Sequence, residues 1–154
     1  MQLLRPRLEV SVATQTLRLW DGTRVVKSWP CSTSKFGIGF QEGSNRTPLG
    51  AFRVMEKHGN GAPLHTIFKS RQPVGEWTPG DKVDADLILA RILWLEGAEE
   101  RNANTKERYV YIHGTNQEEL IGRIGSHGCI RMKNLDVVEL YDIIDVGTPV
   151  YIGE

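Results

Sequence analysis

Apolar and polar residues alternate along Leu8-Glu-Val-Ser-Val-Ala13 and again along Thr16-Leu-Arg-Leu-Trp20. A period of two belongs to a strand with one buried face. Asp21-Gly22 separates the second run from Val25-Val26. Such a pair marks a tight hairpin, because its central residues take positive φ. A lone ribbon is not stable in water, so the rest of the chain must cover its apolar face. Ala51-Phe-Arg-Val-Met55, Arg108-Tyr-Val-Tyr-Ile-His113 and Val150-Tyr-Ile152 read as further strands; the middle one is dense in β-branched and aromatic residues. Leu87 to Leu95 is apolar and short, and suits either a buried strand or a helix. One helix is well signalled near residues 134–145. Asn134 is its expected N-cap, Asp136 sits in its first turn, and Val137, Leu140, Tyr141 and Ile144 form one stripe before Gly147-Thr-Pro149. Residues 33–50 and 58–63 read as Gly-rich loops, and 97–106 as a hairpin connection. The expectation is a mainly β single domain, 1–154, with one helix packed late.

Composition removes other classes. With 40% apolar and 25% charged residues the chain is ordinary for a globular protein and wrong for a disordered one. At 154 residues it can bury a core without a metal or disulfide staple. Its two cysteines, Cys31 and Cys129, make no disulfide scaffold. No apolar run reaches the roughly 18 residues of a membrane span. Residues 1–77 carry 11 basic and 5 acidic side chains, and residues 78–154 carry 8 and 14. That dipole is too diffuse for nucleic acid, and no basic cluster interleaves with aromatics. Neither nucleic acid nor membrane is an expected partner, and a monomer is expected. The first ten residues lack the apolar core and small-residue cleavage site of a secretory signal. The expected compartment is the cytoplasm if the chain is complete, or the periplasm or cell envelope if a leader was removed.

The chemistry lies between Tyr111 and Met132. His113-Gly114-Thr115 is followed by Ser126-His127-Gly128-Cys129-Ile130-Arg131-Met132. Two of four histidines and one of two cysteines fall in this stretch. A thiol attacks as thiolate, and a nearby imidazole can lower its pKa and hold the proton. Gly128 suits a tight turn that exposes Cys129 and aims amide N–H groups at one point, where an oxyanion would form. His113 ends a strand, a rigid place for a base, and is preferred over His127, which would shape the loop with Ser126. Arg131 either pairs with an acidic neighbour or contacts substrate. A His–His–Cys zinc site with an open position is the alternative chemistry, but no fourth ligand stands at useful spacing. No cofactor or metal is expected. Cys31 reads as a small buried hydrophobe. His58 and His65, beside a Gly-rich loop, read as solvent-facing. Trp20, Trp29, Trp77 and Trp94 read as core or cleft wall.

His113-Gly-Thr with Ser126-His-Gly-Cys-Ile-Arg resembles the signature of the L,D-transpeptidase catalytic domain, the YkuD family. Cys31-Ser-Thr, Thr47-Pro-Leu-Gly-Ala-Phe52 and Asp145-Val-Gly-Thr-Pro-Val-Tyr151 are similar to further family segments, so the likeness spans nearly the whole chain. It implies a β-sandwich or barrel with the cysteine in a cleft, and stem peptides or muropeptides of peptidoglycan as partners. Cys129 would attack the carbonyl of a diamino acid, usually diaminopimelate, at its bond to a terminal D-Ala. An amine would then give a cross-link, and water a trimmed tripeptide. The resemblance further implies His113 as base, a backbone carbonyl near Gly114 holding its ring, oxyanion donors at the Gly128–Cys129 turn, and Arg131 near the substrate. Ser34 departs from the glycine usual there. With no export signal or wall-binding repeat in view, an L,D-carboxypeptidase acting on recycled stem peptides is an alternative expectation. A non-catalytic peptidoglycan-binding module is disfavoured, because it has no use for His113, His127 and Cys129 together.

Overall fold

The computed structural model describes residues 2–154. Its elements are β1 (Pro6–Ser11), β2 (Thr16–Asp21), β3 (Arg24–Pro30), β4 (Gly50–His58), β5 (Thr66–Lys69), β6 (Gln72–Glu76), β7 (Ile88–Gly97), β8 (Tyr111–Gly114), β9 (Ile130–Met132), α1 (Asn134–Ile143) and β10 (Pro149–Gly153). The strands form one hydrogen-bonded sheet in the order β3-β2-β1-β10-β4-β7-β5-β6, with β8 branching from β7 and β9 pairing β8. The expected mainly β, one-helix architecture is present. Its layers are parts of a single branched sheet that encloses a main core and a smaller cluster of Phe68, Ile92, Trp94 and Tyr111.

The alternation at the N-terminus does what its period requires. Leu8 and Val10 of β1, and Leu17 and Leu19 of β2, are fully buried, and these two strands pair antiparallel. They join one core with Phe52, Val54, Leu93, Leu95, Ile112, Ile130, Val150 and Ile152. The ambiguous apolar run is a strand: Leu89 to Leu95 of β7 are fully or nearly fully buried because Leu89, Leu93 and Leu95 join the main core while Ile92 and Trp94 join a second cluster with Phe68 and Tyr111. That double burial explains its continuous apolar pattern.

Two local readings are corrected, and one element was not expected from the sequence. The strand expected from Arg108 begins only at Tyr111, because Tyr109 takes φ +54° and turns the chain. The hairpin β5–β6 carries no strong alternation, since every residue of β6 is exposed. Asn134 is not the helix N-cap; Lys133 is. Asn134 instead turns its amide inward, accepting from Thr115 N–H at 3.0 Å and donating to the Thr115 carbonyl at 3.0 Å. Buried backbone groups just after His113 need partners, and this side chain supplies two. Glu118 caps the helix from a distance, accepting from Asn134 N–H at 2.8 Å.

Candidate active site

β8 and β9 run parallel, with Ile112 opposite Ile130 and His113 opposite Arg131. This register places Cys129, just before β9, beside the start of β8. Tyr111 N–H donates to Cys129 Sγ at 3.3 Å, and the thiol faces the Tyr109 carbonyl at 3.5 Å. The register of β7 against β8 shifts between Leu89 and Ile92, where buried Ala90 takes φ +70°. A bulge at this place re-aims side chains of the neighbouring strand, and His113 stands next to it. Gly114 is required by close approach: a Cβ would lie 2.2 Å from Asn134 Oδ1 and 2.8 Å from the Leu89 carbonyl.

His113 is buried, and its Nδ1 meets the Gly114 carbonyl at 2.5 Å. A carbonyl only accepts, so Nδ1 carries the proton and Nε2 presents its lone pair. Burial pushes the His113 pKa below the ordinary range; Asp86 and the Gly114 carbonyl oppose that, and Arg131 adds to it. Burial likewise pushes the Cys129 thiol up to about 11, against the lowering effect of the Tyr111 N–H. Both shifts favour the uncharged forms, a thiol and an imidazole, and run against the lowered thiol pKa expected from the sequence. Such a pair is suited to general-base chemistry, in which the proton leaves sulfur as a new bond forms.

The loop before Cys129 is set by hydroxyls. Ser126 Oγ accepts from Gly128 N–H at 3.3 Å and donates to the Cys129 carbonyl at 2.6 Å. Gly128 takes φ +118°, a conformation that penalises any side chain. Thr47, fully buried, donates to the Gly128 carbonyl at 3.1 Å and accepts from Ser34 N–H at 3.0 Å. In a trans peptide the N–H points opposite the C=O, so pinning the Gly128 carbonyl aims the Cys129 N–H the other way. Ser34 is accommodated without strain: its φ is not positive, and its hydroxyl bonds the Asn45 carbonyl and Phe36 N–H.

Arg131 pairs with an acidic neighbour. Its side chain is 0% exposed, and its guanidinium donates to Asp86 Oδ1 at 3.0 Å and Gln117 Oε1 at 2.6 Å, out of reach of a ligand in the cleft. The other oxygen of Asp86 faces His127 Nδ1 at 3.6 Å. His127 is half exposed and packs on Phe36. Sequence reasoning missed Asp86, which no motif marks, and Thr47, whose Thr-Pro-x-Gly segment was noticed but given no task.

Three grooves meet at Cys129. One of about 350 Å³ is lined by Asp86, Ile88, His113 and His127. A second, about 320 Å³, runs between residues 42–45 and 107–110. The third, about 360 Å³, reaches Ser70, Arg71, Tyr109 and Tyr111.

The other candidates lie elsewhere or are inert. Cys31 is fully buried, and burial pushes its thiol up to about 12. His58 pairs with Glu56 at 2.9 Å and His65 packs on Trp77; both are half-buried rather than solvent-facing. Trp29 and Trp94 are buried, and Trp94 packs against Tyr109 and Tyr111, which line the third groove. Among the described residues no three His, Cys, Asp or Glu side chains converge as a metal would need. No helix among them is long and apolar enough to cross a membrane.

The comparisons agree with this geometry. The family model of the L,D-transpeptidase catalytic domain, YkuD, matches residues 5–152. The YkuD protein of Bacillus licheniformis is 32% identical over 146 residues, covering 95% of this chain and 64% of its own length. The YkuD protein of Bacillus subtilis is 30% identical over 146 residues, covering 95% of this chain and 65% of its own. The chain thus spans just under two thirds of these relatives. The structure of an L,D-transpeptidase from Mycobacterium smegmatis superposes with a TM-score of 0.64 at 17% identity, covering 97% of this chain and 59% of that one. That likeness concerns the fold, while the sequence matches carry the kinship: the chain belongs to the L,D-transpeptidase catalytic domain (YkuD) family.

Proposed function

We propose that this chain forms an acyl-enzyme at Cys129 with peptidoglycan stem tetrapeptides, breaking the bond between the L-centre of a diamino acid and the terminal D-Ala. Cys129 Sγ attacks the carbonyl carbon while His113 Nε2 takes the thiol proton. The oxyanion meets the Cys129 amide, aimed in advance by the pinned Gly128 carbonyl, which costs no reorganisation at the moment of reaction. Collapse of the tetrahedral adduct expels D-Ala, whose amine receives the proton from His113, and a thioester remains. Water or an amine then attacks the thioester, with His113 again taking the proton.

The observation that carries this reading is the His113 ring locked on the Gly114 carbonyl, which leaves its Nε2 lone pair unspent in a groove lined by both His113 and Cys129. The meeting of three grooves on one sulfur also suits a reaction with a donor and an acceptor. The test is incubation with a disaccharide-tetrapeptide, with and without an amine acceptor, read by mass spectrometry. D-Ala release is the expected result; dimer identifies transfer and tripeptide identifies hydrolysis. Intact tetrapeptide after prolonged incubation would refute the proposal.

A further inference from the structure

The turn joining β5 to β6 is Lys69-Ser70-Arg71-Gln72, with Lys69 paired to Gln72. Its central residues take φ +48° and +65°. Such a two-residue turn favours Asn-Gly or Gly-Gly, because a side chain is penalised at positive φ. Here an arginine occupies the second position. Its guanidinium lies over the Trp94 ring at 4.5 Å from the centroid and over Tyr109 at 5.5 Å. It donates to Tyr111 Oη at 3.0 Å. A guanidinium has five N–H donors, and this is the one bond that Arg71 makes among the described residues. Glu56, the acidic group close enough to act on Arg71, is held by His58 at 2.9 Å. Tyr111 Oη accepts from Arg71 and keeps its own hydrogen to give.

Arg71 and Tyr111 line the third groove, and Cys129 lines it too. The same segment joins them directly, because Tyr111 N–H donates to the Cys129 sulfur. A cation held over two aromatic rings, with free N–H donors and a neighbouring O–H, is a receptor for a planar anion. We infer that Arg71, with Tyr111 Oη, forms a subsite for a carboxylate, and that it receives the free C-terminal carboxylate of the residue expelled from Cys129. In a stem tetrapeptide that carboxylate lies one Cα beyond the scissile nitrogen, so a group bound by the attacking sulfur must place it nearby. This inference rests on the proposed function and names a specificity element within it.

The experiment measures kcat/KM for release of the terminal residue by wild type, Arg71→Gln and Arg71→Lys. Two tetrapeptides are compared, one with a free C-terminal carboxylate and one with a C-terminal carboxamide. Wild type is expected to prefer the acid by about 10- to 100-fold, the worth of a charge-assisted pair at a partly exposed site. Arg71→Gln is expected to lose about that factor on the acid and to change little on the amide, while Arg71→Lys falls between. Equal turnover of both peptides by wild type overturns the inference and leaves the proposed function standing. So does an Arg71→Gln loss of the same size on both peptides, which is what a merely structural role in the aromatic stack would give. Failure of wild type to turn over either peptide overturns the proposed function and this inference with it. If Arg71→Gln does not fold, the wild-type ratio alone decides.

Discussion

Replacing Thr47 by valine tests whether the Cys129 amide is aimed from a distance. Valine fills nearly the same volume but lacks the hydroxyl, which donates to the Gly128 carbonyl at 3.1 Å and accepts from Ser34 N–H at 3.0 Å. Both partners are buried. Each orphaned group costs about 1–3 kcal/mol, so losing the hydroxyl costs about 2–4 kcal/mol once the loop shifts to find water. For a domain of this size that is a fall in Tm of about 4–16 °C. The effect on rate is separate. Loss of one oxyanion donor costs about 10²–10³ in kcat, and an amide left present but unpinned should cost about 10- to 100-fold. Thermal melting and steady-state D-Ala release measure the two effects on one preparation. The expected result is a lower Tm, a lower kcat and a nearly unchanged KM, with Thr47→Ser restoring both. A Thr47→Val enzyme that melts early but keeps kcat within about twofold would refute the positioning role and leave Thr47 a loop staple.

Arg131→Leu leaves Asp86 without its cation and should lower the unfolding free energy by about 3 kcal/mol in chemical denaturation; adding Asp86→Asn should recover part of it, and a loss below about 1 kcal/mol would contradict the buried pair. Because His113 must be neutral to accept a proton and burial lowers its pKa, the acid limb of kcat/KM should fall below pH 6.5; a limb above 6.5 would show a raised pKa instead. A thiol at about 11 holds roughly a hundredfold less thiolate at pH 8 than an ordinary one, so alkylation of Cys129 by iodoacetamide should be slow at neutral pH and rise up to about pH 11. A plateau of alkylation below pH 8 would mean a thiolate–imidazolium pair at rest. Cys31 should resist alkylation throughout, being fully buried.

The period-two patterns of β1 and β2, the stripe of α1 and the Ser-His-Gly-Cys segment were legible because each is a local rule acting on neighbours in sequence. What was not legible depends on partners far along the chain. Arg131 has the same letter whether it meets a ligand or Asp86, 45 residues away; only the fold shows the pair. Asn134 looked like a cap because capping is the local use of asparagine, whereas the buried backbone groups of Thr115 that it satisfies lie 19 residues back. The hairpin β5–β6 escaped notice because its outer strand buries no face and so carries no period. The thiol of Cys129 was expected to be acidic from its histidine neighbours, but burial raises it, and the groups that oppose burial are the Tyr111 N–H, Arg108 and Arg131.

Intact-protein mass spectrometry of the enzyme mixed with a stem tetrapeptide and quenched in acid is the most direct test of thioester formation at Cys129. The account predicts a single adduct of tripeptide mass, located to Cys129 by peptide mapping, with one D-Ala released per adduct. It also predicts no adduct with Cys129→Ala and an unimpaired one with Cys31→Ala. An adduct that persists in Cys129→Ala, or D-Ala release by that variant at the wild-type rate, would contradict it.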